Sequence, residues 1–200
     1  LDEHCDHVLV HTGQNYDYEL NGLFYSQLDI PRPDHFLEVG SDTPATQTAV
    51  VLARTADLLR RRGPALVVVI GDTNSTLGCA LAASKVGLPL VHVEAGLRSN
   101  EPNLPEEANR RVVDVLSNLL CAPSVAAGER LSAEHLPGRV VVTGDVARDV
   151  LLRHLELAPA QGVGARRVHM LARLEPCPFE YRCLGLGDHV HDVCAAHGFG

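Results

Sequence analysis

Apolar strand-length runs alternating with helix-length amphipathic segments predict an α/β fold: an open parallel sheet with helices on both faces. Three observations carry this expectation. Ala65–Ile70 (ALVVVI) is continuous and β-branched, as a parallel strand buried on both faces should be. Pro89–Val93, Leu119–Ala122 and Arg139–Val142 repeat short apolar runs at intervals that leave room for one helix each. Gly63-Pro64, Gly71–Ser75 and Gly87 supply the breaks between them.

The elements follow in order. Asp6–Val10 (DHVLV) predicts a strand ending in the polar loop His11–Asn15, and Leu37–Val39 a second short strand. Thr43-Pro44 predicts an N-cap followed by proline in the first turn. Ala45, Ala49, Leu52, Ala53, Ala56 and Leu59 then recur at helical spacing. Arg60, Arg61 and Arg62 suit the negative end of that helix and read as a solvated terminus rather than an anion site. Further helices are expected from Gly71–Ser75 to about Val86, over Glu106–Leu116, Val125–His135 and Asp145–Leu155.

Composition narrows the function classes. Lys and Arg total 17 against 25 Asp and Glu, a formal charge of −8, which argues against nucleic acid or an anionic membrane as partner. Apolar stretches such as Ala65–Ile70 fall far short of the roughly 20 residues that cross a bilayer. No basic, apolar and small-residue leader pattern opens the chain, so a cytoplasmic location is expected. Cys5, Cys79 and Cys121 are isolated and mostly lie in apolar segments, which favours reduced thiols.

In an open parallel sheet, ligands bind beyond the carboxyl ends of the strands. The residues there are His11–Asp17, Gly71–Ser75, Glu94–Arg98 and Thr143–Asp145, joined by Pro105–Arg110 at the end of the loop after the third strand. Asp72, Glu94 and Glu106 thus converge on one rim with Arg98 and Arg110. Asp72 has an alternative use as a helix cap. Glu106 and Glu107 stand in a first helical turn, where the dipole favours acids. Glu94 directly follows a strand among small residues, where a carboxylate needs a partner or a task. His92 alternates with Val91 and Val93, a pattern that fits packing or hydrogen bonding better than catalysis. Gly13, Gly71 and Gly96 are expected to allow tight turns, while no dinucleotide or phosphate-loop glycine motif is present.

HTGQNYDYELN (His11–Asn21), GDTNSTL (Gly71–Leu77), HVEAGLRS (His92–Ser99) and PEEANR (Pro105–Arg110) together resemble the motifs of the non-hydrolysing UDP-N-acetylglucosamine 2-epimerases. The resemblance covers about residues 1–155. It implies a Rossmann-like domain, the N-terminal half of a glycosyltransferase-B architecture whose active site lies between two such domains. It also implies interconversion of UDP-GlcNAc and UDP-ManNAc: loss of the C2 proton, departure of UDP from C1, and re-addition with inverted C2. Asp72, Glu94 and Glu106 match the family's acidic catalytic positions, with Arg98, Arg110, His92 and Gln14 as candidate substrate-binding residues. Gln14 falls in a segment that, in bacterial members, helps form a second UDP-GlcNAc site. No metal, nicotinamide or other cofactor is expected, and family members are commonly homodimers.

The resemblance also implies departures. The family opens with a strand and a GTRPE-like loop that this chain, starting at Leu1, is expected to lack, leaving neighbouring strands without a hydrogen-bonding partner. A second domain is not recognisable: residues 1–157 read as one incomplete domain and 158–200 as an irregular tail. In that tail Cys177, Cys183, His189, His191 and Cys194 match no standard zinc spacing. The alternatives to an epimerase are a truncated or frameshifted remnant without activity, a hydrolysing 2-epimerase, and a glycosyltransferase of the same architecture.

Overall fold

A computed structural model of the chain describes residues 4–13, 31–99, 101 and 103–157. Two short strands, β1 (Val10–His11) and β2 (His35–Phe36), pair in parallel. Four longer strands follow, β3 (Val67–Ile70), β4 (Leu90–Val93), β5 (Leu119–Ala122) and β6 (Arg139–Val142). They form a separate all-parallel sheet in the order β3-β4-β5-β6. The helices are α1 (Pro44–Arg62), α2 (Asn74–Val86), α3 (Pro105–Leu116), α4 (Val125–Ala133) and α5 (Val146–Leu157). Gln14 and the tail from 158 lie outside the described residues.

Local chemistry sets the helix ends. Thr43 caps α1 by accepting from the Thr46 amide, Pro44 starts the first turn, and Gly63 ends the helix in the left-handed region at φ 57°. Arg60, Arg61 and Arg62 occupy the last turn. Arg60 meets the exposed Asp57, as a solvated helix end should.

Strand register decides what is covered. Val69, His92, Leu120 and Val140 stand in one row across the sheet. On this side Val69 and Leu90 pack with Ala80, Ala82 and Ala83 of α2, Val113 of α3, and Ala56 and Leu59 of α1. Leu120 and Ala122 pack with Ala127 and Leu131 of α4. The other side of β3 differs from the sequence expectation. Val68 is 46% and Ile70 58% exposed, so β3 is not buried on both faces. It is the edge strand of its sheet, and β1 and β2 pair with each other instead of joining it.

Cys5, Cys79 and Cys121 are free thiols. Burial pushes the Cys121 thiol up to about 11, which keeps it protonated and inert at neutral pH.

Candidate active site at the carboxyl edge of the sheet

Asp72 stands two residues beyond β3, after Gly71 turns the chain at φ 72°. The cap of α2 is Thr73, whose side chain accepts from the Thr76 amide at 3.2 Å. Asp72 is therefore not used as a helix cap. Its carboxylate receives Arg110 instead, Nε at 2.8 Å and the terminal nitrogen at 2.5 Å. The Asn109 amide donates to the Asp72 carbonyl at 2.8 Å, so consecutive residues of α3 hold both the backbone and the side chain of Asp72.

Glu94 follows β4 and adopts φ 70°, left-handed backbone that a residue with a Cβ enters at a cost. Its carboxyl is held above the ordinary glutamate range. Partial burial is the main cause, and the charges of Asp145 and Asp72 add to it, with a smaller opposing effect of His92. Asp145 follows β6, where its Oδ1 accepts from the amides of Ala147 (2.9 Å) and Arg148 (3.2 Å) at the start of α5. Sequence reading listed Asp145 at a strand end without assigning it to the carboxylate group. The rim thus carries acids beyond β3, β4 and β6 of the same sheet.

The two acids at the start of α3 divide their work. Glu106 is partly exposed, and among the described residues no hydrogen bond or ion pair engages it. Glu107 is almost fully buried. It accepts from the Ser99 amide (2.9 Å), Arg111 (3.0 Å) and Arg110 (3.3 Å). Burial alone would raise its carboxyl; the Ser99 amide and the two guanidinium groups outweigh that and hold it below the usual range. Arg110 is thereby fixed between Glu107 on its own helix and Asp72 on the sheet.

His92 and Arg98, two of the expected substrate-binding residues, are engaged inside the fold. His92 is fully buried on the helix-covered side of β4. Its Nδ1 lies 2.6 Å from Asp114 Oδ1, and its Nε2 donates to the Gly71 carbonyl at 2.9 Å. Strand alternation places it in the row with Val69 and Leu120, so its polar atoms must be satisfied internally. The Arg98 side chain is 7% exposed and pairs with Asp114 (2.7 Å) and, through two nitrogens, with Glu134 (2.9 and 2.6 Å). Burial would lower its basicity, but these two carboxylates raise it. Asp114 and Glu134 were missed by sequence reading; an aspartate inside VVDVL, on a helix, was the available signal.

Near β1, Gly13 turns at φ 75°, and Ser75 donates to Thr12 Oγ1 at 2.9 Å, bringing the loop after β1 to the start of α2. Among the described residues, no three His, Cys, Asp or Glu side chains are grouped to hold a metal ion, and no helix is long and apolar enough to cross a membrane.

Comparison with known proteins places this geometry. The family described as UDP-N-acetylglucosamine 2-epimerase matches residues 1–173. A UDP-N-acetylglucosamine 2-epimerase homolog of Methanococcus maripaludis is 42% identical over 154 residues, 77% of this chain and 43% of that protein. The UDP-2,3-diacetamido-2,3-dideoxy-D-glucuronate 2-epimerase of Pseudomonas aeruginosa is 38% identical over 171 residues, 84% of this chain and 48% of that protein. The crystal structure of the Methanocaldococcus jannaschii UDP-GlcNAc 2-epimerase, in complex with UDP-GlcNAc and UDP, superposes with a TM-score of 0.72 at 38% identity. The superposition covers 75% of this chain and 42% of that one. The chain therefore spans less than half the length of these relatives. On the family match and these identities, the chain belongs to the UDP-N-acetylglucosamine 2-epimerase family.

Proposed function

We propose that the protein is a UDP-N-acetyl-sugar 2-epimerase in which Glu94 takes the C2 proton. The observation that supports this reading is the state of Glu94, a strand-end carboxyl raised by burial and by the neighbouring charges of Asp145 and Asp72. A carboxyl raised in this way is a stronger base than an ordinary glutamate, which is the direction that general acid–base work requires. The carboxylate accepts the proton from C2 as the C1–O bond breaks and its electron pair leaves with the pyrophosphate of UDP. The resulting glucal is reprotonated at C2 from the opposite face, and UDP adds back at C1. In this reading Asp72, held by Arg110, sits beside the reacting carbon, and Glu106 relays the proton. Arg110 steadies the carboxylates rather than gripping substrate alone.

The substrate class is a UDP-linked 2-acetamido sugar, since the related proteins are named for two different members of it. UDP-GlcNAc and UDP-ManNAc, feeding cell-envelope polysaccharide, are the pair this reading assigns, in a cytoplasmic homodimer without a cofactor. Incubation with UDP-GlcNAc in deuterated water tests it, with deuterium expected at C2 and lost in Glu94→Gln. Deuterium incorporation that survives this substitution rejects Glu94, and absence of UDP binding at millimolar nucleotide in calorimetry rejects activity of this chain. Release of free N-acetylmannosamine would instead identify a hydrolysing 2-epimerase. Light scattering measures the dimer.

A further inference from the structure

We propose that Asp114 is the positioning residue for Glu94: its buried carboxylate grips the chain two residues to either side and holds the left-handed backbone that presents Glu94 to the rim. The proposal rests on the reading of Glu94 as the proton-transfer group. Asp114 lies on α3 and is fully buried. Oδ1 meets His92 Nδ1 at 2.6 Å, and Oδ2 accepts from the Gly96 amide at 3.2 Å. His92 and Gly96 bracket Glu94 at i−2 and i+2. Arg98, donating to the same Oδ2 at 2.7 Å, supplies the compensating charge that a buried carboxylate needs.

A non-glycine residue at φ 70° persists only where its surroundings over-determine it. The Ala95 amide donates to the Cys121 carbonyl at 3.1 Å, which fixes one side of the turn to β5. Asp114 fixes the flanking positions, and through His92 Nε2 it also orients the Gly71 carbonyl, next to Asp72. One carboxylate on a helix thus sets the backbone next to two of the rim acids, Glu94 and Asp72. Oδ2 accepts from both the Gly96 amide and Arg98, and an amide in this place either turns its NH2 toward these donors or faces Arg98 without the negative charge that pairs with it.

The experiment uses the full chain with glutamate labelled at the carboxyl carbon and follows Glu94 and Glu107 by NMR across pH. In Asp114→Asn the Glu94 titration is expected to move by about half a unit or more while that of Glu107 stays. Amide exchange at Gly96 is expected to speed up at least about tenfold. An unchanged Glu94 titration with only lowered thermal stability would overturn the proposal, since a purely structural aspartate predicts that result. If Asp114→Asn does not fold, Glu94→Gly is added, because glycine enters the left-handed region freely. Recovery of the folded state in the double variant supports the proposal, and failure to recover overturns it. Absence of C2 exchange in the unsubstituted protein would overturn the epimerase reading and leave the coupling of Asp114 to Glu94 standing.

Discussion

Arg110 reaches from α3 to donate to Asp72 beyond β3 at 2.8 Å, while its other branch lies 3.3 Å from Glu107 one turn earlier on the same helix. A single guanidinium therefore ties the acid that faces the rim to an acid that faces the core. The fork geometry matters, because a lysine ammonium cannot point at both carboxylates with fixed direction.

Replacing Arg110 by lysine should leave the fold intact and lower the rate of C2 proton exchange by about tenfold or more. Arg110→Ala should lower it further and reduce stability by about 1–3 kcal/mol, because Glu107 keeps its burial and loses a partner. Exchange in deuterated water and urea unfolding of the two variants check this pair of outcomes.

Glu94 predicts a stability change with a defined sign. Its carboxyl is raised in the folded state, so the folded chain binds a proton there more readily than the unfolded chain does. Stability from this group is present at low pH and lost as pH rises from the unfolded value through the folded one. Glu94→Gln should therefore unfold at higher urea than the parent at pH 7, by less than about 1 kcal/mol, with the advantage vanishing below pH 4. An advantage that grows toward acid would contradict the assignment.

Glu107 predicts the reverse. Its carboxyl is held low, chiefly by the Ser99 amide and the two arginines acting against burial, so its contribution is present above the unfolded value and fades as pH falls through the folded one. Glu107→Gln should cost about 1–3 kcal/mol at neutral pH, and the difference from the parent should shrink in acid. Thermal unfolding at a series of pH values reads both the size and the direction.

Gly96 stands at φ 80°, and a Cβ there would lie 2.7 Å from the Ala127 carbonyl oxygen and from Leu131. Gly96→Ala should cost about 2–4 kcal/mol through backbone strain and overpacking against α4. Denaturant midpoints are the measurement, and Gly63→Ala is the control: it carries the same left-handed strain with nothing within 4 Å of the added methyl.

Much of the α/β pattern was legible because it rests on local chemistry. β5 and β6 fall on the expected residues, and α1 begins at Thr43 and Pro44 as the cap and proline require. The placing of Asp72 and Glu94 was legible because each stands within two residues of a strand end, whereas Asp145, three residues past β6, was not counted with them. What escaped the sequence depends on partners distant in the chain. Whether Ala65–Ile70 is central or at an edge is decided by which strand lies beside it, and the run itself is equally apolar either way. The alternation of His92 with Val91 and Val93 pointed to packing or hydrogen bonding, while the family resemblance implied binding; the row it shares with Val69 and Leu120 turns it inward. Asp114 went unnoticed because an acid in an amphipathic helix ordinarily faces water, and only its ligands show otherwise.

The rim acids are spaced by the sheet itself. Asp72 follows β3, Glu94 follows β4 and Asp145 follows β6, and neighbouring strands are held about 4.8 Å apart by their hydrogen bonds. The acids stand one to three residues past the strand ends, so the ladders fix where each loop leaves the sheet. The repulsion felt by Glu94 thus starts from the separation of the strands that lead to it, to Asp72 and to Asp145. Strand order sets the coarse spacing, and Asp114 and Arg110 of α3 set how the loops carry Glu94 and Asp72 within it.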